Sequence, residues 1–100
     1  MIIRSQDKNK ITNFNQISDL VVSKKDIVNG YDILVCYTYF AESDCGFSVI
    51  ATYSTEEKAI KVLDMIQDTY RKSFEEEQQN YVGHRYNVTF QMPQDSEVVV

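Results

Sequence analysis

Tyr53-Ser-Thr-Glu-Glu-Lys-Ala-Ile-Lys-Val-Leu-Asp-Met-Ile-Gln-Asp-Thr-Tyr70 is the stretch that decides the architecture. Ser54 with Glu57 three residues later matches a capping box, in which each side chain bonds the other residue's backbone N–H, so a helix is predicted from Thr55. Ala59, Val62, Leu63, Ile66 and Tyr70 recur at three- and four-residue spacing, while Glu57, Lys61, Asp64, Asp68 and Lys72 fall opposite. One face is apolar and one is wet. Glu57 with Lys61 and Asp68 with Lys72 are acid-first i,i+4 pairs, each adding only a few tenths of a kcal/mol. Burial of the stripe against a sheet must therefore supply most of the helix's stability. Phe74 extends the stripe by one turn. Glu75, Glu76 and Glu77 then place negative charge at the negative end of the helix dipole, which predicts fraying between Ser73 and Asn80 and a helix of about 55–78.

Outward from the helix, the chain reads as strands. Met1 to Arg4 and Ile11 to Phe14 flank the polar, turn-rich Ser5-Gln-Asp-Lys-Asn-Lys10, an arrangement that fits a hairpin. Leu20, Val21 and Val22 form a β-branched and aliphatic cluster within Ile17 to Ser23. Asn29-Gly30 is the strongest turn signal, because both residues tolerate the positive φ of a tight hairpin. Asp32 to Phe40 follows as a long strand, with Leu34, Cys36 and Phe40 on one side and Ile33, Val35, Tyr37 and Tyr39 on the other. After the loop Ala41 to Gly46, the strand Phe47 to Tyr53 feeds the helix. Its expected faces are Phe47, Val49, Ala51, Tyr53 and, opposite, Ser48, Ile50, Thr52. Tyr86, Val88, Phe90 and Met92 alternate with polar residues, giving a last strand over about 86–92 that Pro93 terminates. Asp95 to Val100 reads as a tail, with pairing of its three terminal valines to an exposed strand edge as the alternative.

The expectation is a single α+β domain over 1–100, with about 94–100 as a flexible tail. It comprises a curved, mainly antiparallel sheet of five to six strands packed on one long amphipathic helix. One helix covers only one face of such a sheet. The other face must curl, meet water or meet a partner.

The chain has 100 residues, a net charge of −5 and two cysteines. No apolar run approaches the roughly 20 residues of a membrane span, and Met1-Ile-Ile-Arg4 turns polar too early for a signal peptide, so a cytoplasmic protein without membrane attachment is expected. The acidic balance argues against nucleic acid, whose binders carry a basic footprint. Lysines 8, 10, 24 and 25 read as solvated turns. His84, the single histidine, sits in a Gly-His-Arg turn without an orienting partner, and Cys36 at mid-strand reads as a small hydrophobe; no catalytic group is expected from either. Asp64, Asp68 and Glu57 share their face with lysines, which reads as solvated helix, and Cys36, Cys45 and His84 match no zinc spacing. The glycines at 30, 46 and 83 are isolated and form no phosphate loop. No cofactor and no metal are expected. Tyr37, Tyr39 and Phe47, on adjoining strands, are the candidate interaction surface.

Three segments taken together carry a resemblance: Ile2-Ile-Arg-Ser-Gln-Asp-Lys8, then Tyr53-Ser-Thr-Glu-Glu-Lys-Ala59 with Val62-Leu-Asp-Met-Ile66, then Phe90-Gln-Met-Pro93. The chain resembles, over most of its length, a family of small uncharacterised proteins of Gram-positive bacteria and their phages and mobile elements. The resemblance implies a cytoplasmic bacterial or phage-borne protein and transfers no functional residue. The functional expectation is a non-catalytic protein-interaction module, with a homodimer as one form, that uses an exposed strand edge or the uncovered sheet face. The alternative is a small-molecule or lipid-head-group binding domain with its pocket between helix and curved sheet.

Overall fold

The polar run Ser5 to Lys10 turns the chain back on itself, and the order of elements follows from there. The structure, a computed structural model, describes residues 1–25, 29–37, 46–79 and 88–100. Tyr39, Phe40, Cys45, His84 and Tyr86, which the sequence reading invoked, lie outside the described residues, as does the side chain of Phe74.

Strand β1 (Ile2–Arg4) pairs antiparallel with β2 (Ile11–Asn13), Ile3 facing Thr12. After a 3-10 turn at Phe14–Gln16 come β3 (Ile17–Lys24), β4 (Tyr31–Tyr37) and β5 (Phe47–Tyr53), then helix α1 (Glu56–Gln79) and β6 (Thr89–Gln91). The protein is α+β, and its six described strands form two three-stranded sheets, β2-β1-β6 and β3-β4-β5, where one curved sheet was expected. The difference arises at β6, which pairs parallel to β1, Phe90 facing Ile3, and does not extend the β3-β4-β5 meander.

One core joins both sheets to the helix. Ile3 and Phe90 from the first, with Met92 just after β6, Ile33, Val35, Ile50, Ala51 and Tyr53 from the second, and Ala59, Val62 and Ile66 from α1 form a single buried cluster. Each fully buried Val, Ile or Met side chain contributes about 1.5–3 kcal/mol, so this cluster outweighs any surface pair. The predicted stripe holds at Ala59, Val62 and Ile66. Tyr70 is 40 % exposed and rests on Phe14 instead, with ring centroids 5.0 Å apart.

Several local expectations change. The helix begins at Glu56, and its cap is Thr55, whose Oγ1 accepts from Lys58 N–H at 3.2 Å. Ser54 does not form the capping box, because its N–H and Oγ both donate to the Asp95 carboxylate at 2.8–3.0 Å. Asp68 pairs with Lys72 as expected, at 3.1 Å, and also with Arg71 at 2.8 Å; among the described residues Glu57 and Lys61 form no ion pair. Asn29-Gly30 is not the centre of a two-residue turn. The last ladder bond runs from Lys25 N–H to Gly30 O, leaving four residues between them, and Gly30 does not adopt positive φ. Where the sequence suggests a tail, Asp95–Glu97 forms a 3-10 turn and Val98 is buried in the core, while Val99 and Val100 beyond it are exposed.

Gln6 ties the two sheets together. Its N–H donates to Ile50 O, its Oε1 accepts from Thr52 N–H, and its Nε2 donates to Thr52 O and Pro93 O. A single glutamine thus occupies the outer edge of β5 in the place of a neighbouring strand.

Candidate interaction face and edge of the second sheet

Cross-strand partners share a sheet face, so the register of β3-β4-β5 sorts its residues without ambiguity. Val22 faces Ile33, Leu20 faces Val35, and Ile33 faces Ala51; these look toward the helix, with Ile33, Val35 and Ala51 at most 4 % exposed. The opposite face carries Val21 against Leu34 and Leu34 against Val49, then Asp19 against Cys36 and Cys36 against Phe47. Val21, Val49 and Phe47 are 42, 41 and 57 % exposed. Leu34 and the free thiol of Cys36 are half-buried between them. These five side chains form an apolar band across all three strands, on the side of the sheet that α1 does not cover.

A β-bulge creates half of that band. Ile33 pairs with Ala51 and Leu34 with Val49, so Ile50 is an extra residue on β5. The inserted residue breaks the two-residue alternation. Ala51 and Tyr53 face the core as expected, Ile50 joins them there, and Val49 and Phe47 are turned outward. The expected face Phe47, Val49, Ala51, Tyr53 is therefore split in two.

The bulge also separates the predicted site residues. Tyr37 packs against the helix-side core, whereas Phe47 pairs with Cys36 on the open face, so the sheet lies between the two rings. Tyr39 lies outside the described residues. Of the predicted trio, Phe47 alone is placed on the open face. Val21, Leu34 and Val49 were not singled out from sequence; Val21 and Leu34 sit in strands where apolar residues occupy both parities, and nothing local marks the bulge that exposes Val49.

The second feature is the outer edge of β3. Among the described residues β3 pairs only with β4, and none of them pairs with the other side of this eight-residue strand. Antiparallel ladders alternate between bonded and non-bonded pairs. Counting from the Lys25 to Gly30 bond, Ser23, Val21 and Asp19 exchange bonds with β4, so Leu20, Val22 and Lys24 present their backbone groups outward. Beside this edge runs a groove of about 680 Å³ lined by Leu20, Val21, Val22, Tyr31, Ile60 and Leu63, with Lys24 and Glu56 as its polar members; Val21 borders it from the strand edge. Ile60, 46 % exposed, and Leu63 are the helix's apolar contribution to its wall. A larger concavity is lined, among the described residues, by α1 alone, from Lys61 to Arg71.

Other polar chemistry is engaged in structure. Burial, with the nearby charges of Asp95 and Glu97, pushes the Tyr53 hydroxyl well above the ordinary tyrosine range; it stays protonated and donates to Pro93 O at 2.8 Å. The Ser54 N–H, with Ser54 Oγ and Lys58, holds the Asp95 carboxyl below the usual carboxylate range. The Ser5 hydroxyl does the same for Asp7, helped by Asn9 N–H. Among the described residues no three His, Cys, Asp or Glu side chains gather as a metal site, and no helix is long and apolar enough to cross a membrane. Comparison with protein-family models, with curated proteins and with solved structures finds no match to this chain.

Proposed function

We propose that the protein is a non-catalytic interaction module that engages a protein partner through the β3-β4-β5 sheet. The observation that carries this reading is the apolar band Val21, Leu34, Cys36, Phe47 and Val49 on the face away from the helix. Scattered exposed apolar residues are ordinary; a contiguous band across three strands, next to an unpaired edge, is a surface suited to burial against another protein. The resemblance to small proteins of Gram-positive bacteria and their phages supports placing this activity in a bacterial cytoplasm.

The reading is tested with Phe47→Lys and Val49→Lys. Both side chains are already exposed, so the melting temperature should change little while proteins captured by the wild-type chain from extracts of its host are lost. Capture of an unchanged set by both variants would overturn it. The groove between β3 and α1 supports the alternative, a small apolar molecule or lipid head group with its chain against Ile60 and Leu63. That alternative predicts a ligand-dependent rise in melting temperature that Ile60→Lys removes.

A further inference from the structure

We propose that the occupant of the β3 edge is a second copy of this chain, paired antiparallel with β3 about a two-fold axis through Val21, so that two three-stranded sheets become one of six. The inference rests on reading this sheet as an interaction surface, and it names the partner. The phase of the ladder restricts the geometry. Leu20 and Val22 turn their backbone groups outward, so in an isologous antiparallel pair Leu20 of one copy exchanges bonds with Val22 of the other, and reciprocally. Val21 then stands opposite the second copy's Val21 as a non-bonded pair, with Cα atoms about 4.5 Å apart.

Side chains fit the same register. Leu20 and Val22 of the second strand enter the groove walled by Leu20, Val22, Ile60 and Leu63. On the open face the two Val21 side chains meet, which joins the apolar bands of both copies into one surface. Charge complementarity selects the direction of pairing. Asp19 lies near one end of β3, and Lys24 and Lys25 lie at and just beyond the other. In the antiparallel pair Asp19 comes opposite Ser23 of the second copy, one pleat repeat from its Lys25 on the same face and within reach of that long side chain. Lys25 already approaches Asp32 at 3.5 Å, so it would stand between two carboxylates. A parallel pair in the same register would instead set acid beside acid and lysine beside lysine. Strand edges that remain single are commonly blunted by proline, inward-pointing charge or a central bulge. On β3 the irregularity sits at Ser18 and the charges at Asp19 and Lys24, leaving Leu20-Val21-Val22 unguarded between them.

The experiment uses the full chain with Cys36→Ser and Cys45→Ser, so that any introduced cysteine is the only thiol. Val21→Cys in this background should give a covalent dimer as the main product of mild oxidation, because the two-fold places the two sulfurs within bonding distance. Phe47→Cys, on the same face but at the far strand, should remain monomeric. The unmodified chain should show twice its 11.6 kDa mass by light scattering. Val21→Lys, which sets two lysines against each other, should return the mass to that of one chain. A monomeric unmodified chain, failure of Val21→Cys to cross-link, or cross-linking of Phe47→Cys as efficient as that of Val21→Cys would each overturn the proposal. If the edge fails in this way while Phe47→Lys still loses captured proteins, the interaction-module reading stands and only the second copy is removed as its partner.

Discussion

Gln6 shows how much a single residue can hold in a domain of this size. Its side chain satisfies both backbone groups of Thr52 and the carbonyl of Pro93, and its own carbonyl accepts from Gln94 Nε2 at 2.8 Å. Removing the amide leaves these partners part-buried without it, which costs about 1–3 kcal/mol. Gln6→Ala should therefore lower the unfolding free energy by roughly 2 kcal/mol in a urea titration, and Gln6→Glu should not rescue it, because a carboxylate faces two carbonyl oxygens. Lys8 is the opposite case. It is the one non-glycine residue at positive φ among those described, at 65° in the Ser5 to Lys10 turn, and its side chain bonds none of the described residues. A left-handed conformation costs about 1–2 kcal/mol in a residue with a Cβ, so Lys8→Gly should raise stability by about 0.5–1 kcal/mol after glycine's extra chain entropy is set against it. A melting temperature equal to or below wild type would show that the turn is not strained there.

At the scale of elements, the start of α1 depends on a carboxylate from the far end of the chain. Asp95 accepts from Ser54 N–H, Ser54 Oγ and Lys58 Nζ, and Asp95–Glu97 is itself closed by Gln94 N–H on Glu97 Oε1 at 2.8 Å. The folded state holds Asp95, Asp7 and Asp68 below the ordinary carboxylate range, the last chiefly through Lys72. A depressed folded value means that the contribution is complete above the unfolded carboxylate range, near pH 4, and is lost as pH falls through the lower folded values. Melting temperature should thus be flat between about pH 5 and 7 and fall below about pH 4. Asp95→Asn should reduce stability at neutral pH and flatten part of that acid slope; an unchanged slope would show that Asp95 does not couple to folding.

The elements also show what the sequence could and could not convey. The helix was legible because its stripe repeats locally at 3.6 residues, and β4 was legible because Ile33, Val35 and Tyr37 keep one parity throughout. The faces of β5 were not, since the extra residue at Ile50 lies where Gln6 donates its N–H to Ile50 O across 44 positions of sequence. Alternation counted along β5 carries no trace of that contact. The cap moved from Ser54 to Thr55 for the same reason, a partner at Asp95. Phe47 was found as a candidate, but its companions Val21, Leu34 and Val49 emerge only once the register of three strands is known.

For the whole molecule, the shared core predicts that the two sheets unfold together. Ile3, Phe90 and Met92 pack in the same cluster as Ile33, Tyr53 and Val62, with no separate core for either sheet among the described residues. Tyrosine fluorescence and far-ultraviolet circular dichroism should follow one urea transition with a common midpoint. Met92→Ala, at a fully buried position, should move both probes by the same amount, a loss of about 2–5 kcal/mol. Separate midpoints would show that the sheets are independent units.

The parallel pairing of β1 with β6 imposes an order in time. Ile3 and its neighbour Phe90 are 87 positions apart, and Ile2 donates to Val88 O at 2.9 Å. During synthesis β1 leaves the ribosome early and waits, through the emergence of the entire meander and the helix, for its second neighbour. The β3-β4-β5 meander closes over shorter sequence separations, so loop-closure entropy favours its formation while the β1 edge is still bare. Slow synthesis of the segment that carries β6 would leave that edge bare for longer, a hazard that follows from the parallel pairing itself.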